Sequence, residues 1–232
     1  MATSEAITMV PITAGVFCWN ELATRDVDAS CRFYTTMLGW TAETNEVDGT
    51  PYTMFYSDGH PVGGCLAIDE SWPADMPSCW GSYIAVDDVA ATVKRAEECG
   101  GTVCFGPQTV TDVGEFAGLI DPAGAFISVF NGGDGENPIG NGAFCWNELS
   151  TPEPERAAQF YCQVFGWTTE SSTSTDEPYT LFDCGETQVG GMAELRNPEV
   201  PSRWMGYIAV ADVDAATDAA QALGASVYCP PT

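Results

Sequence analysis

The sequence predicts an α+β protein built as two tandem copies of a paired β-α-β-β-β unit, and three observations carry that expectation. The first is a duplication. Gly15-Val16-Phe17-Cys18-Trp19-Asn20-Glu21-Leu22 returns as Gly142-Ala143-Phe144-Cys145-Trp146-Asn147-Glu148-Leu149. At the same spacing, Phe33-Tyr34 returns as Phe160-Tyr161, Gly39-Trp40 as Gly166-Trp167, Tyr52 as Tyr179, and Val62-Gly63-Gly64 as Val189-Gly190-Gly191. A repeat of that length is a whole domain rather than a solenoid unit. The second observation is the order of patterns inside a copy: one strand, one helix, three strands. The third is that the pattern restarts within the first copy at Tyr83-Ile84-Ala85-Val86, matched by Tyr207-Ile208-Ala209-Val210.

Taken in order, residues 1–14 read as a loose N-terminal arm. Residues 15–22 alternate and are rich in aromatic and apolar types, the pattern of a half-buried strand. Thr24 is placed to cap a helix with Asp26 and Asp28 in its first turn, where carboxylates complement the helix dipole. Val27, Cys31, Tyr34 and Leu38 give that helix its apolar stripe, and Gly39 ends it. Strands near 40–46, 52–57 and 61–68 follow, separated by Asp48-Gly49 and Asp58-Gly59 turns. A connector bearing Pro73 and Pro77 leads to strand 80–86, helix 89–99 between Asp88 and Gly100-Gly101, and strands near 102–107, 113–120 and 125–130. The first domain is therefore 15–130. Residues 131–141, full of Gly, Asn and Asp, read as a linker. The second domain, 142–232, runs strand 142–149, helix 153–164 entered through prolines, three strands to about Leu195, strand 204–210, helix 213–223 behind Asp212, and a strand starting at Ala225. The counterpart of Asp112 to Phe130 has no place before Thr232, so the last unit is expected to lack its closing strands.

Composition narrows the function classes. With 232 residues, 45% of them hydrophobic, the chain can bury two modest cores. No apolar run is long enough to span a bilayer and the first residues lack a signal pattern, so a cytoplasmic protein is expected. There are 33 acidic residues against 7 basic ones, a formal charge of −26. Such a surface repels nucleic acid and anionic lipid, and reads as a solvated face that keeps the protein soluble. The 10 cysteines form no CxxC pair and read as small buried hydrophobes in a reducing compartment. The single histidine, His60, follows an Asp-Gly turn and is read as an exposed loop residue, since its counterpart is Thr187.

The helix pattern Asp26-Val27-Asp28-Ala29-Ser30-Cys31-Arg32-Phe33-Tyr34, then Leu38-Gly39-Trp40, and the closing Asp121-Pro122-Ala123-Gly124-Ala125-Phe126-Ile127-Ser128 resemble the glyoxalase/bleomycin-resistance/extradiol-dioxygenase (vicinal oxygen chelate) superfamily across nearly the whole chain. The resemblance implies that each pair of units curls into a half-barrel cup, with metal ligands on the first strand of each unit and on the closing strand. Those positions hold Trp19, Gly81 and Ser128 in the first copy, and Trp146 and Met205 in the second. An indole, a glycine hydrogen and a thioether are poor donors to a divalent ion, so no metal or other cofactor is expected. Only the first cup is expected to be complete, with the first domain the more stable. Either the sequence is a truncated form of a longer gene product, or the open edge of the second needs cover from the arm, another chain or a symmetric homodimer.

Side chains alternate on a strand, so Glu21 shares a face with Trp19, and Glu148 with Trp146. If that face lines the cup, each cup holds a carboxylate walled by aromatics, with a raised pKa suited to a general base or a cation partner. The opposing reading is that these glutamates are satisfied by backbone amides or arginine. Tyr83, Tyr207 and Ser128 share the cup face. Tyr34 and Tyr161 read as core, and the Gly-Gly pairs as a bulge or, less often, a close backbone approach to a ligand. Two function classes stand open. One is a metal-free protein binding a small apolar or cationic molecule in aromatic cups. The other is an enzyme of lyase, isomerase or hydroxylase type with Glu21 and Glu148 as catalytic bases.

Overall fold

The computed structural model describes residues 6–132, 135–173, 177–197 and 199–231. The first unit is β2 (Phe17–Thr24), α1 (Val27–Leu38), β3 (Thr41–Val47), β4 (Thr50–Ser57) and β5 (His60–Ala67). The second is β6 (Cys79–Ala85), α2 (Val89–Glu98), β7 (Thr102–Val110), β8 (Gly114–Ile120) and β9 (Phe126–Asn131). Together they form one 8-stranded sheet, ordered β3-β4-β5-β2-β6-β9-β8-β7 and curled into a half-barrel. The second copy supplies β11 (Phe144–Thr151), α3 (Pro154–Phe165), β12 (Thr168–Ser171), β13 (Tyr179–Cys184), β14 (Thr187–Glu194), β15 (Arg203–Ile208) and α4 (Val213–Ala222). Its sheet has 5 strands, β12-β13-β14-β11-β15, with β15 at the edge.

Local chemistry sets most boundaries. Asp88 and Asp212 cap α2 and α4 by accepting from the Ala91 and Ala215 amides. Gly39 and Gly166 close α1 and α3 with left-handed backbone, a conformation glycine adopts without a Cβ penalty. The cap of α1 is Asp26 rather than Thr24: the Asp26 carboxylate accepts from Ala29 N–H, while Thr24 is still in β2 with its hydroxyl on Ser30.

Two expectations fail for lack or presence of a ladder partner. The expected arm and linker contain β1 (Thr8–Pro11) and β10 (Glu136–Ile139), which pair antiparallel and satisfy each other's backbone groups. Residues 1–5 and 133–134 lie outside the described residues. The described part of the arm therefore pairs with β10 and not with β15. Conversely, the strand expected from Ala225 is absent among the described residues. Its counterpart β7 is held by β8, and 225–231 have no such neighbour; Tyr228 stands fully in solvent. The cysteines also differ from expectation. All are free thiols and only Cys18 and Cys65 are buried, because the strand faces carrying Cys79, Cys104 and Cys145 are open to water.

The two copies do not pack as separate beads. The larger core joins the second unit of the first copy (Ile84, Val89, Leu119, Ile127) to the first unit of the second copy (Phe160, Tyr161, Trp167, Phe182). The smaller joins Leu22, Trp40, Phe55 and Val62 to Ala143, with Phe144 and Ile208 against it. Accordingly α2 lies on α3 and α1 on α4. The repeated Gly-Trp pairs are the clamps of this crossing. Trp40 donates its indole N–H to Gly142 O (2.9 Å), and Trp167 donates to Gly15 O (2.8 Å).

Candidate functional site

The expected cup residues of the first copy do meet. Register places Glu21 opposite Gly64 on β5 and Gly81 on β6, Trp19 opposite Tyr83, and Tyr83 opposite Ser128 on β9. Glu21 Oε1 accepts from the Tyr83 hydroxyl at 2.7 Å and Oε2 from the Tyr52 hydroxyl at 2.8 Å. Tyr52 in turn accepts from the Trp19 indole N–H at 3.0 Å, and Ser128 stands beside Tyr83 in the β6–β9 ladder. The second copy repeats the motif. Glu148 accepts from Tyr179 (3.0 Å) and Tyr207 (3.1 Å), and Trp146 donates to Tyr179 (2.9 Å). The glutamates are thus satisfied by tyrosine hydroxyls, in place of the amides or arginine considered above, since the cross-strand neighbours offer phenols at that depth.

Tyr52 and Tyr179 are the members that sequence reasoning missed. Their signal was present, as both stand at the repeat spacing, but only the folded β4–β5 and β13–β14 pairs bring them over the glutamates. The glycine pairs explain how. A Cβ on Gly64 would lie 1.8 Å from the Tyr52 hydroxyl oxygen, and one on Gly191 2.1 Å from that of Tyr179. A register irregularity also falls between Phe55 and Tyr56 opposite Val62, next to the pair, as the bulge reading expects.

Burial sets the electrostatics of the first cup. It raises the pKa of Glu21 above the ordinary carboxylate value, and the Tyr83 and Tyr52 hydrogen bonds only partly offset it. Tyr52 and Tyr83 are raised by burial and then by the neighbouring Glu21 charge, so both stay protonated donors. In the second cup Tyr207 rises to about 12 through burial and then the neighbouring Glu148 charge. An aromatic wall faces this network: Phe105 packs on Phe116 and Phe126, and the Phe126 ring lies over Gly81. Glu194, at the end of β14, instead lines a shallow recess with Glu177, Tyr179 and Arg196.

The donor set does not fit a divalent metal. The superfamily's ligand positions hold Trp19, Gly81, Ser128, Trp146 and Met205, and both Glu21 oxygens are engaged by tyrosines. Among the described residues no three His, Cys, Asp or Glu side chains converge as a ligand group.

A half-barrel of paired units with an aromatic cup is the architecture of the vicinal oxygen chelate proteins, and comparison with known sequences agrees. Residues 16–129 match the Glyoxalase/Bleomycin resistance protein/Dioxygenase superfamily, and residues 145–230 match a glyoxalase-like domain. The chain belongs to that superfamily. CFP32 of Mycobacterium tuberculosis, named as a putative glyoxylase, is 35% identical over 92% of this chain and 84% of its own length. The anthracycline biosynthesis protein DnrV of Streptomyces peucetius is 34% identical over 94% and 86%. The Mn(II)-bound glyoxalase of Novosphingobium aromaticivorans shares the fold, with TM-score 0.55 at 18% identity, covering 78% of this chain and 62% of that one. No helix among the described residues is long and apolar enough to cross a membrane.

Proposed function

We propose that the cups bind a small organic molecule with an apolar face and a cationic or hydrogen-bonding group, without a metal. The observation that carries this reading is the half-buried Glu21 held between Tyr52 and Tyr83 across from the Phe105–Phe126 wall. A carboxylate kept deep by paid-up hydrogen bonds is a strong local field for a cation, and aromatic faces favour the same ligand. Relatives named for anthracycline biosynthesis support a small organic ligand. The acidic surface argues against nucleic acid and anionic membranes as partners, and a cytoplasmic location suits free thiols.

A second reading, catalysis, is favoured by the raised pKa of Glu21, since desolvation makes a carboxylate a stronger base. A thermal-shift screen of small molecules, with and without divalent metals, followed by Glu21→Gln and Glu148→Gln, decides between them. Binding predicts that ligand-induced shifts are metal-independent and that the substitutions weaken affinity by roughly 1–3 kcal/mol. Catalysis predicts that turnover is lost while affinity stays within a few-fold. One divalent ion per domain, found by elemental analysis of purified protein, would overturn the metal-free reading.

A further inference from the structure

The two pairs of packed helices meet in equivalent clefts, and the chain fills only one of them with a side chain of its own. Between α2 and α3 that side chain is Arg95. Its Nε–H donates at 2.8 Å to Val164 O, in the last turn of α3, and its Nη2 donates to the Thr92 hydroxyl at 3.3 Å. A cation is favoured there twice, by the carbonyl it caps and by the negative end of the helix dipole.

The cleft between α1 and α4 has the same frame and smaller side chains. The repeat puts Ala219 at the place of Arg95, Ala216 at that of Thr92 and Met37 at that of Val164. These three residues, with Asn141, Asp212 and Ala215, wall a cavity of about 240 Å³. Asn141 stands where the first copy has Ala14, and its Oδ1 is buried without a hydrogen-bond partner among the described residues. A buried acceptor left unpaired is costly, so this cleft calls for a donor as well as for bulk. Its walls supply no cation either: α4 carries Asp214 and Asp218 behind its Asp212 cap with no Lys or Arg, and the last turn of α1 has no basic residue. Both bonds of Arg95 are made to the helices themselves, so the contrast rests on residues that each copy possesses.

We propose that the α1–α4 cleft binds a small molecule carrying an alkylguanidinium group, seated as the Arg95 side chain is seated between α2 and α3. Its apolar stem lies over Ala215, Ala216 and Ala219. Its planar fork donates to the Met37 carbonyl, as Arg95 does to Val164, and to Asn141 Oδ1, beside the Asp212 that lines the same wall. The site is distinct from the cups, and the inference does not rest on the ligand reading given for them.

The test is a titration of the intact isotope-labelled chain, followed by its amide resonances, with n-propylguanidinium and with n-propylurea. The first is the arginine side chain on its own, and the second is its neutral isostere. Saturable shifts are expected at millimolar probe over 37–38, 141–142 and 210–219, with the urea roughly ten-fold weaker or worse. Ala219→Arg should supply the group from the chain itself, removing the saturable response and raising the unfolding midpoint. Asn141→Ala, a milder change, should weaken the guanidinium several-fold. Shifts that spread over the acidic surface without saturating, equal affinity for the two probes, or unchanged binding in either folded variant overturns the proposal. A response centred on Trp19, Glu21 and Tyr83 overturns it too, by placing the probe in the first cup.

Discussion

The helices α1 and α3 begin the two copies with closely related sequences, yet α3 buries four side chains and α1 none. Phe33-Tyr34 and Phe160-Tyr161 are the same dipeptide at the same helical phase. The difference lies in the closing hairpin, and the crossing of the copies sends its effect to the other side: β8 and β9 of the first copy seal the core around α3 of the second. Burial here is therefore a property of the partner unit, with helix amphipathicity supplying only the stripe to be covered. The expectation that the first domain is the more stable one is recast by this arrangement. The first copy holds the larger sheet, but its own first helix is the poorly covered element.

The largest expected effect tests that asymmetry. Phe160→Ala removes a side chain that is 2% exposed from the larger core and should cost about 3–5 kcal/mol. Phe33→Ala, on half-buried α1, should cost roughly 1 kcal/mol or less. Urea midpoints at constant m-value measure both. Equal losses would show that α1 is covered in solution.

A smaller effect compares the cups. Gly64→Ala drives a methyl into the Tyr52 hydroxyl, which is held by Glu21 and Trp19, and should cost about 1–3 kcal/mol as overpacking. Gly191→Ala meets Tyr179 in the more open cup and should cost less, as the ring can swing aside. Midpoints, with the fluorescence of the tryptophans, separate a displaced tyrosine from a disrupted sheet.

The pH dependence sharpens the contrast from the electrostatic side. Glu21 and Asp121 both have pKa values raised by burial, so between the ordinary carboxylate value and the raised one the folded chain holds more protons than the unfolded. Stability then falls as pH rises through that window and levels off above it. Glu21→Gln should flatten part of that slope and leave the protein more stable than wild type above the window. The Asp121 part should remain. A wild type whose midpoint rises across this range would contradict the burial assigned to both groups.

How much of this was legible in the sequence follows from which interactions are local. The Asp-capped helices, the Gly stops and the strand alternation depend on near neighbours and could be read directly, as could Trp19 and Glu21 sharing a face. The Tyr52 donor to Glu21 could not, because it sits on β4, which lies two strands from β2 and reaches over β5 only in the folded sheet. Nor could the crossing of the copies. Trp40 and Gly142 are far apart in the chain, and the repeat marks both without linking them. The β1–β10 ribbon was hidden for a related reason, as two short segments with prolines carry no periodicity until they meet.

The smallest effect isolates local from tertiary stabilisation. Asp88 and Asp212 are nearly identical caps, with φ, ψ of −147°, 108° and −148°, 108°, and amide bonds of 2.8 and 2.9 Å. Their intrinsic contribution should be the same, about 1 kcal/mol each. The helices behind them differ, since α2 buries Val89, Thr92, Val93 and Ala96 while α4 buries nothing. Asp88→Ala should therefore lower the global midpoint by its full amount, because α2 cannot unfold without opening the larger core. Asp212→Ala should barely move the midpoint and should instead speed amide exchange over 213–222, where opening is a local event already close in energy to the native state. If both substitutions shift the midpoint equally, α4 belongs to the same cooperative unit as α2, and the face it shares with α1 is covered in solution.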